Sequence, residues 1–181
     1  MGSFSRLNSS NNFTYMVKNI IVHHTGGSDL NPLQDSSNFT FEQCNTLHKN
    51  DPNINLGHPS ALGYYIAYQY FIDKNGLVTQ GRLDTEEGAH CRGHNSDSIG
   101  ICLAGNFDAT LPTKTQIDSL TKLLKDKVTQ YNLTPDVIIP HRTFAQKTCY
   151  GNKLSDTWAR DLIKTNKDTI KAQIISLLGQ L

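Results

Sequence analysis

The sequence predicts an α/β fold, a central mixed β-sheet flanked by helices, on three observations. Short apolar runs of strand length, Ile20-Ile21-Val22, Ile99 to Leu103 and Val137 to Ile139, alternate with longer stripes at helical spacing. Two capping boxes, Thr40-x-x-Gln43 and Thr113-x-x-Gln116, open those stripes. An Asp73-Lys74-Asn75-Gly76 turn between two β-rich runs adds an antiparallel pair, which makes the sheet mixed.

In order along the chain, residues 1–17 are polar and read as a flexible arm, and residues 18–181 as one folded domain. The first strand, Lys18 to Thr25, ends in His23-His24-Thr25-Gly26-Gly27. Behind the first capping box, Phe41, Cys44, Leu47 and His48 recur at helical spacing, predicting a helix over about 40–50. Asp51 to Gly63 holds two Pro and two Gly and is a loop. Tyr64 to Ile72 is aromatic and β-rich, with Leu77 to Arg82 as its return strand. Ser98 to Ala104 is a further strand. Ile117, Leu120, Leu124, Val128 and Tyr131 form the stripe of a second long helix. Val137 to Ile139 runs as a buried strand into Pro140-His141. Trp158, Leu162, Ile170, Ile174 and Leu178 suggest a closing helix, broken once.

Composition excludes several classes. The 181 residues carry 17 Lys+Arg against 16 Asp+Glu, so no basic face is broad enough to suggest nucleic acid as a partner. No window holds about 18 consecutive apolar residues, so no membrane span is expected. The first dozen residues have no apolar signal core, which points to synthesis in the cytoplasm. The four Cys (Cys44, Cys91, Cys102, Cys149) contain no CxxC pair and force no disulfide. A chain of this size with no spare apolar helix is expected to be monomeric.

Three residues stand out chemically. His23 and His141 each sit at the end of an apolar strand, and Cys149 follows His141 by eight residues. Imidazole and thiolate suit zinc, and three protein ligands leave a fourth tetrahedral position open. By spacing alone the plain alternative stands beside this one, with two strand-end histidines satisfied by hydrogen bonds and one buried thiol.

Five blocks in order shift that balance: Ile20-Ile21-Val22-His23-His24-Thr25, Tyr68 to Gly76, Gly88-Ala89-His90, Asn95 to Ile101, and His141-Arg142 with Cys149. Together they resemble the type 2 N-acetylmuramoyl-L-alanine amidases, a group that includes phage lysozyme-like amidases and peptidoglycan recognition proteins. The resemblance covers about residues 18 to 160. It implies an amidase fold with peptidoglycan as substrate, Zn2+ as cofactor, and His23, His141 and Cys149 as its ligands. It also implies catalytic roles for Tyr68, selected over Tyr64, Tyr65 and Tyr70, and for Lys147. His90, Arg92 and Asn95 resemble the family's groove wall and are candidate substrate contacts. The reaction implied is hydrolysis of the bond between N-acetylmuramic acid and L-alanine, in a phage or prophage endolysin that reaches the wall after release. A non-catalytic peptidoglycan-binding module of the same fold is the alternative. Two departures matter. Tyr150-Gly151 follows Cys149 where the family usually has Pro, which leaves the loop path open, and Asp51 to Gly63 is long enough to form part of the groove rim.

Overall fold

The computed structural model describes residues 16–164 and Leu178. Five strands form one sheet: β1 (Asn19–His24), β2 (Tyr70–Ile72), β3 (Val78–Gln80), β4 (Ser98–Leu103) and β5 (Ile138–Pro140), in the order β3-β2-β4-β1-β5. β1 runs parallel to both β4 and β5, and β2 runs parallel to β4. Only the β2–β3 pair is antiparallel. The mixed sheet predicted from the sequence is therefore present.

Alternation along the strands separates two layers. Ile20 and Val22 of β1, Tyr70 and Ile72 of β2, and Ile99, Ile101 and Leu103 of β4 share one core cluster with Leu120 and Leu124. Those two leucines belong to helix α2 (Lys114–Gln130), whose N-terminus is closed by the Thr113–Gln116 capping box. The opposite face presents Phe71 and Cys102 to Phe41 and Cys44 of helix α1 (Phe41–Asn50), opened by the Thr40–Gln43 box. His23 pairs in register with Cys102 and so points to this second face.

The strand predicted over Tyr64 to Ile72 is shorter than expected. Its first half spends its backbone donors elsewhere: Tyr65 N–H on the Asn45 side chain (2.6 Å) and Ala67 N–H on His48 Nδ1 (2.9 Å). Two α1 side chains thus take the place of a neighbouring strand, and regular pairing begins at Tyr70. The return strand shrinks to Val78–Gln80. The turn before it is held by Asp73, whose carboxylate accepts from Asn75 N–H (2.9 Å) and Leu77 N–H (2.8 Å), with Gly76 at φ 87°.

Within the closing segment, helix α3 covers only Trp158–Asp161, and the expected contributions of Ile170 and Ile174 lie outside the described residues. Most of the expected N-terminal arm does too, although Val17 is buried in the larger core cluster. The loop at 51–63 carries no strand or helix. The Glu86 carboxylate pins it by accepting from Ala61 N–H and Leu83 N–H, both at 2.7 Å. All four cysteines are free and buried, and no helix among the described residues is long and apolar enough to cross a membrane.

Candidate metal centre and active-site cleft

A parallel sheet gathers its strand ends on one edge, and crevices at the carboxyl ends are where such sheets bind ligands. His23 is the penultimate residue of β1, and His141 immediately follows β5, its neighbour in the sheet. Adjacent parallel strands thus bring together two residues that are far apart in sequence. Their rings lie 4.4 Å apart, centre to centre. Cys149 comes from the loop after β5, with its Sγ 3.7 Å from His23 Nδ1 and 3.5 Å from the His24 backbone N–H.

The ligating atoms of His23, His141 and Cys149 all lie within 4.8 Å of one another. At ordinary Zn–N and Zn–S bond lengths, a tetrahedral ion would hold its nitrogen and sulfur donors roughly 3.6 Å apart. The observed 3.7 Å between Cys149 Sγ and His23 Nδ1 fits that spacing without rearrangement. Protonation states fit as well. Burial, then His90, His141 and His24 and finally Lys147, hold His23 well below the ordinary imidazole range. Burial and then Lys147 lower His141 to about 4. Both imidazoles are therefore neutral near pH 7, as a metal ligand must be. Burial, helped by the Asp108 carboxylate and partly opposed by the His24 N–H, Lys147 and Arg142, pushes the Cys149 thiol up to about 12, so its proton would leave only as an ion binds.

The His23, His141 and Cys149 cluster borders a cleft of about 610 Å³ that is also lined by Tyr68, His90, Asp108 and Lys147. Lys147 is exposed at the rim, close enough to affect His23, His141 and Cys149. The Tyr68 ring packs 5.0 Å from the His23 ring, on the α1 side. Burial, with Cys102, Cys44 and Cys149 nearby, keeps the Tyr68 phenol far above its usual pKa. Tyr68 is accordingly an O–H donor near pH 7.

A second hollow of about 600 Å³ continues the cleft past His141 and Lys147, bounded by Asn53, Leu56, Arg92 and Phe144. Asn53, Leu56 and, in the main cleft, Ile54 come from the long loop, which therefore does form part of the rim. The three expected wall residues differ in setting. Arg92 is exposed, whereas His90 is buried at 7% exposure. The Asn95 side chain accepts from the backbone N–H groups of His90 (2.9 Å) and Cys91 (2.7 Å), so it shapes the wall from within.

Several further residues support the site in roles the sequence alone did not assign. Arg142 donates to Gly151 O (2.8 Å), Leu154 O (2.7 Å) and the Asp156 carboxylate (2.6 Å), bracing the loop that carries Cys149. Asp108 braces the same loop from the other side, accepting from the Thr148 hydroxyl (2.6 Å) and Asn152 N–H (2.7 Å). Tyr150, where a proline was expected, is fully buried. Its ring lies 5.5 Å from that of Trp158 and under the Arg142 guanidinium, and its hydroxyl donates to Ser155 O (2.8 Å). The loop path is thus supported by an aromatic anchor.

Fold and cleft together define an α/β protein with a His-His-Cys cluster able to hold a metal ion beside accessible space. The chain belongs to the N-acetylmuramoyl-L-alanine amidase family, whose profile matches residues 13–152. Among curated proteins it is similar to the endolysin of Klebsiella phage KP32, 32% identical over 106 residues, which span 56% of this chain and 69% of that one. It also resembles peptidoglycan-recognition protein SC2 of Drosophila simulans, 31% identical over 144 residues, covering 77% and 72% of the two chains. Among solved structures it resembles N-acetylmuramoyl-L-alanine amidase LysC from Clostridium intestinale URNW. That match has a TM-score of 0.60 and 25% identity, and covers 88% of this chain and 86% of that one.

Proposed function

We propose that this protein is a zinc-dependent N-acetylmuramoyl-L-alanine amidase of the endolysin type. It would hydrolyse the amide between the lactyl group of N-acetylmuramic acid and L-alanine in bacterial peptidoglycan. The observation that carries this reading is the convergence of His23, His141 and Cys149 at the floor of a cleft with Lys147 on its rim. A binding module needs the cleft but has no use for three buried metal donors, two of them held neutral.

Bound there, zinc supplies Lewis acidity and a water acidic enough to serve as nucleophile near pH 7. The protein supplies the remainder. Hydrolysis puts oxygen on the lactyl carbon and a proton on the departing L-alanine nitrogen, and negative charge gathers on the carbonyl oxygen on the way. Lys147 offers a cation to that oxygen from the rim, and Tyr68 offers an O–H from the α1 side. Arg92, in the extension of the cleft, is suited to the carboxylates of the stem peptide, with His90 and Asn95 forming the wall behind it.

The endolysin relative supports a role in which the protein is made in the cytoplasm and reaches the wall after release. The test is digestion of purified peptidoglycan followed by mass spectrometry of the soluble products. The proposal expects intact stem peptides with a free L-alanine amino group and glycan chains with free lactyl carboxylates. Retention of the protein on the wall without release of peptide would instead support a binding module.

A further inference from the structure

We propose that His90 is a positioning residue of the metal centre, which fixes the tautomer and orientation of His23 rather than contacting the stem peptide. This inference rests on the metal reading of the same site. His23 Nε2 lies 3.1 Å from His90 Nδ1, and both side chains are buried. The other nitrogen of His23, Nδ1, faces Cys149 Sγ. Only Nδ1 can therefore share an ion with Cys149 and His141, and it must do so as a bare lone pair.

The proton of neutral His23 then resides on Nε2 and is donated to His90 Nδ1. Were the bond reversed, His90 would donate to Nε2 and the His23 proton would sit on Nδ1, blocking the ligand. An acceptor at His90 Nδ1 is thus what selects the ligating form. Metal-bound histidines commonly hand their second N–H to a carboxylate or carbonyl. Here a second imidazole does that work.

The surroundings of His90 are built to keep the ring in place. Its backbone N–H and that of Cys91 are both held by the Asn95 side-chain oxygen Oδ1. The ring lies against Gly88 and Gly100, where an added Cβ would come within 2.5 Å of His90 Cδ2. No side chain can stand at either position without displacing the imidazole. Donation from His23 leaves the His90 proton on Nε2, and that buried nitrogen has no hydrogen-bond partner among the described residues. Leaving a polar atom unpaired in the interior is destabilising. Its presence here is consistent with a ring retained for what Nδ1 does.

The test compares the wild type with His90→Leu, which removes the acceptor at similar volume, and His90→Asn, whose side-chain oxygen can stand near the position of Nδ1. Zinc affinity is measured by competition with a chromophoric chelator. The thiolate-to-metal and ligand-field bands are recorded after cobalt substitution, and thermal unfolding of the metal-free proteins is followed in parallel. The expected result is a 10- to 100-fold loss of zinc affinity with shifted cobalt bands in H90L, and recovery to within a few-fold of wild type in H90N. Unchanged affinity and spectrum in H90L would overturn the assignment. So would equal weakening in H90L and H90N, which would mean that the ring acts only by filling space. Should H90L not fold, H90N alone decides, supporting the proposal if affinity is kept and overturning it if lost. A wild type that binds zinc but releases no peptide would sink the amidase reading, while the H90L and H90N pattern would still decide this one. A wild type that binds no zinc would sink both.

Discussion

Replacing Arg142 with alanine should loosen the Cys149 loop and weaken the fold by a calculable amount. The guanidinium makes two short bonds to backbone carbonyls, Gly151 O at 2.8 Å and Leu154 O at 2.7 Å. Hydrogen bonds from a charged donor are worth about 1.5–3 kcal/mol each. Its ion pair with Asp156 adds less, on the order of 0.5 kcal/mol, because Asp156 is 69% exposed. Its position over the Tyr150 ring contributes about 0.5–1 kcal/mol. Water can reach part of the vacated space, so the low end of the sum applies, about 4 kcal/mol. Urea unfolding of the metal-free protein measures this as a lower midpoint at unchanged slope. Arg142→Lys keeps the charge but cannot reach two carbonyls at once, and should recover less than half of the loss. Zinc affinity should fall in the same order, because Cys149 lies inside the braced segment. An R142A midpoint equal to wild type would contradict the argument. Full rescue by lysine would show that charge alone matters and that the forked geometry does not.

Other expectations follow from the same contacts. Lys147→Ala should slow peptidoglycan hydrolysis by about 100- to 1,000-fold while zinc content stays at wild-type level, and near-normal turnover would remove Lys147 from the chemistry. Asp84 accepts from Tyr70 Oη (2.7 Å), Lys127 Nζ (2.6 Å) and Tyr131 Oη (2.9 Å) on the α2 side of the sheet. Asp84→Ala leaves the half-buried Lys127 ammonium with Gln130 Oε1 (3.0 Å) but without its carboxylate, and should cost about 3 kcal/mol in urea unfolding, with zinc affinity unaltered. His48 is lowered by burial from 6.5 to about 4. With the folded value below the unfolded one, its contribution is complete above pH 6.5 and is lost as pH falls toward 4. The metal-free protein should lose about 2 kcal/mol through His48 between pH 7 and pH 5, and a flat urea midpoint over that range would contradict this.

How far the sequence anticipates the structure depends on whether a residue's role is periodic or local. β1, β4 and α2 are long and regular, and both capping boxes close as their residues predict. The strand over Tyr64 to Ile72 is cut short because Asn45 and His48, one turn apart on α1, take its backbone donors. Composition carries no trace of that exchange. His23, His141 and Cys149 were recognisable as candidates from their residue types and the surrounding motifs. Their meeting depends on β5 lying next to β1, a pairing that local pattern does not encode. The supporting residues were the least visible. Arg142 and Asp108 act on backbone atoms of an irregular loop, where no spacing rule applies. The burial of His90 depends on Gly88 and Gly100, two positions that look like ordinary loop and strand glycines until the ring is seen against them.

The account stands or falls on whether hydrolysis and bound zinc travel together through the same three residues. Zinc content and release of peptides with a new L-alanine amino group should be measured on one preparation, before chelation, after chelation and after zinc is returned, alongside Cys149→Ala. One zinc per chain is expected, with release abolished by the chelator, restored by zinc, and absent from C149A together with the metal. Release that persists in the metal-free protein, or a fully loaded protein that frees no L-alanine terminus, would contradict it.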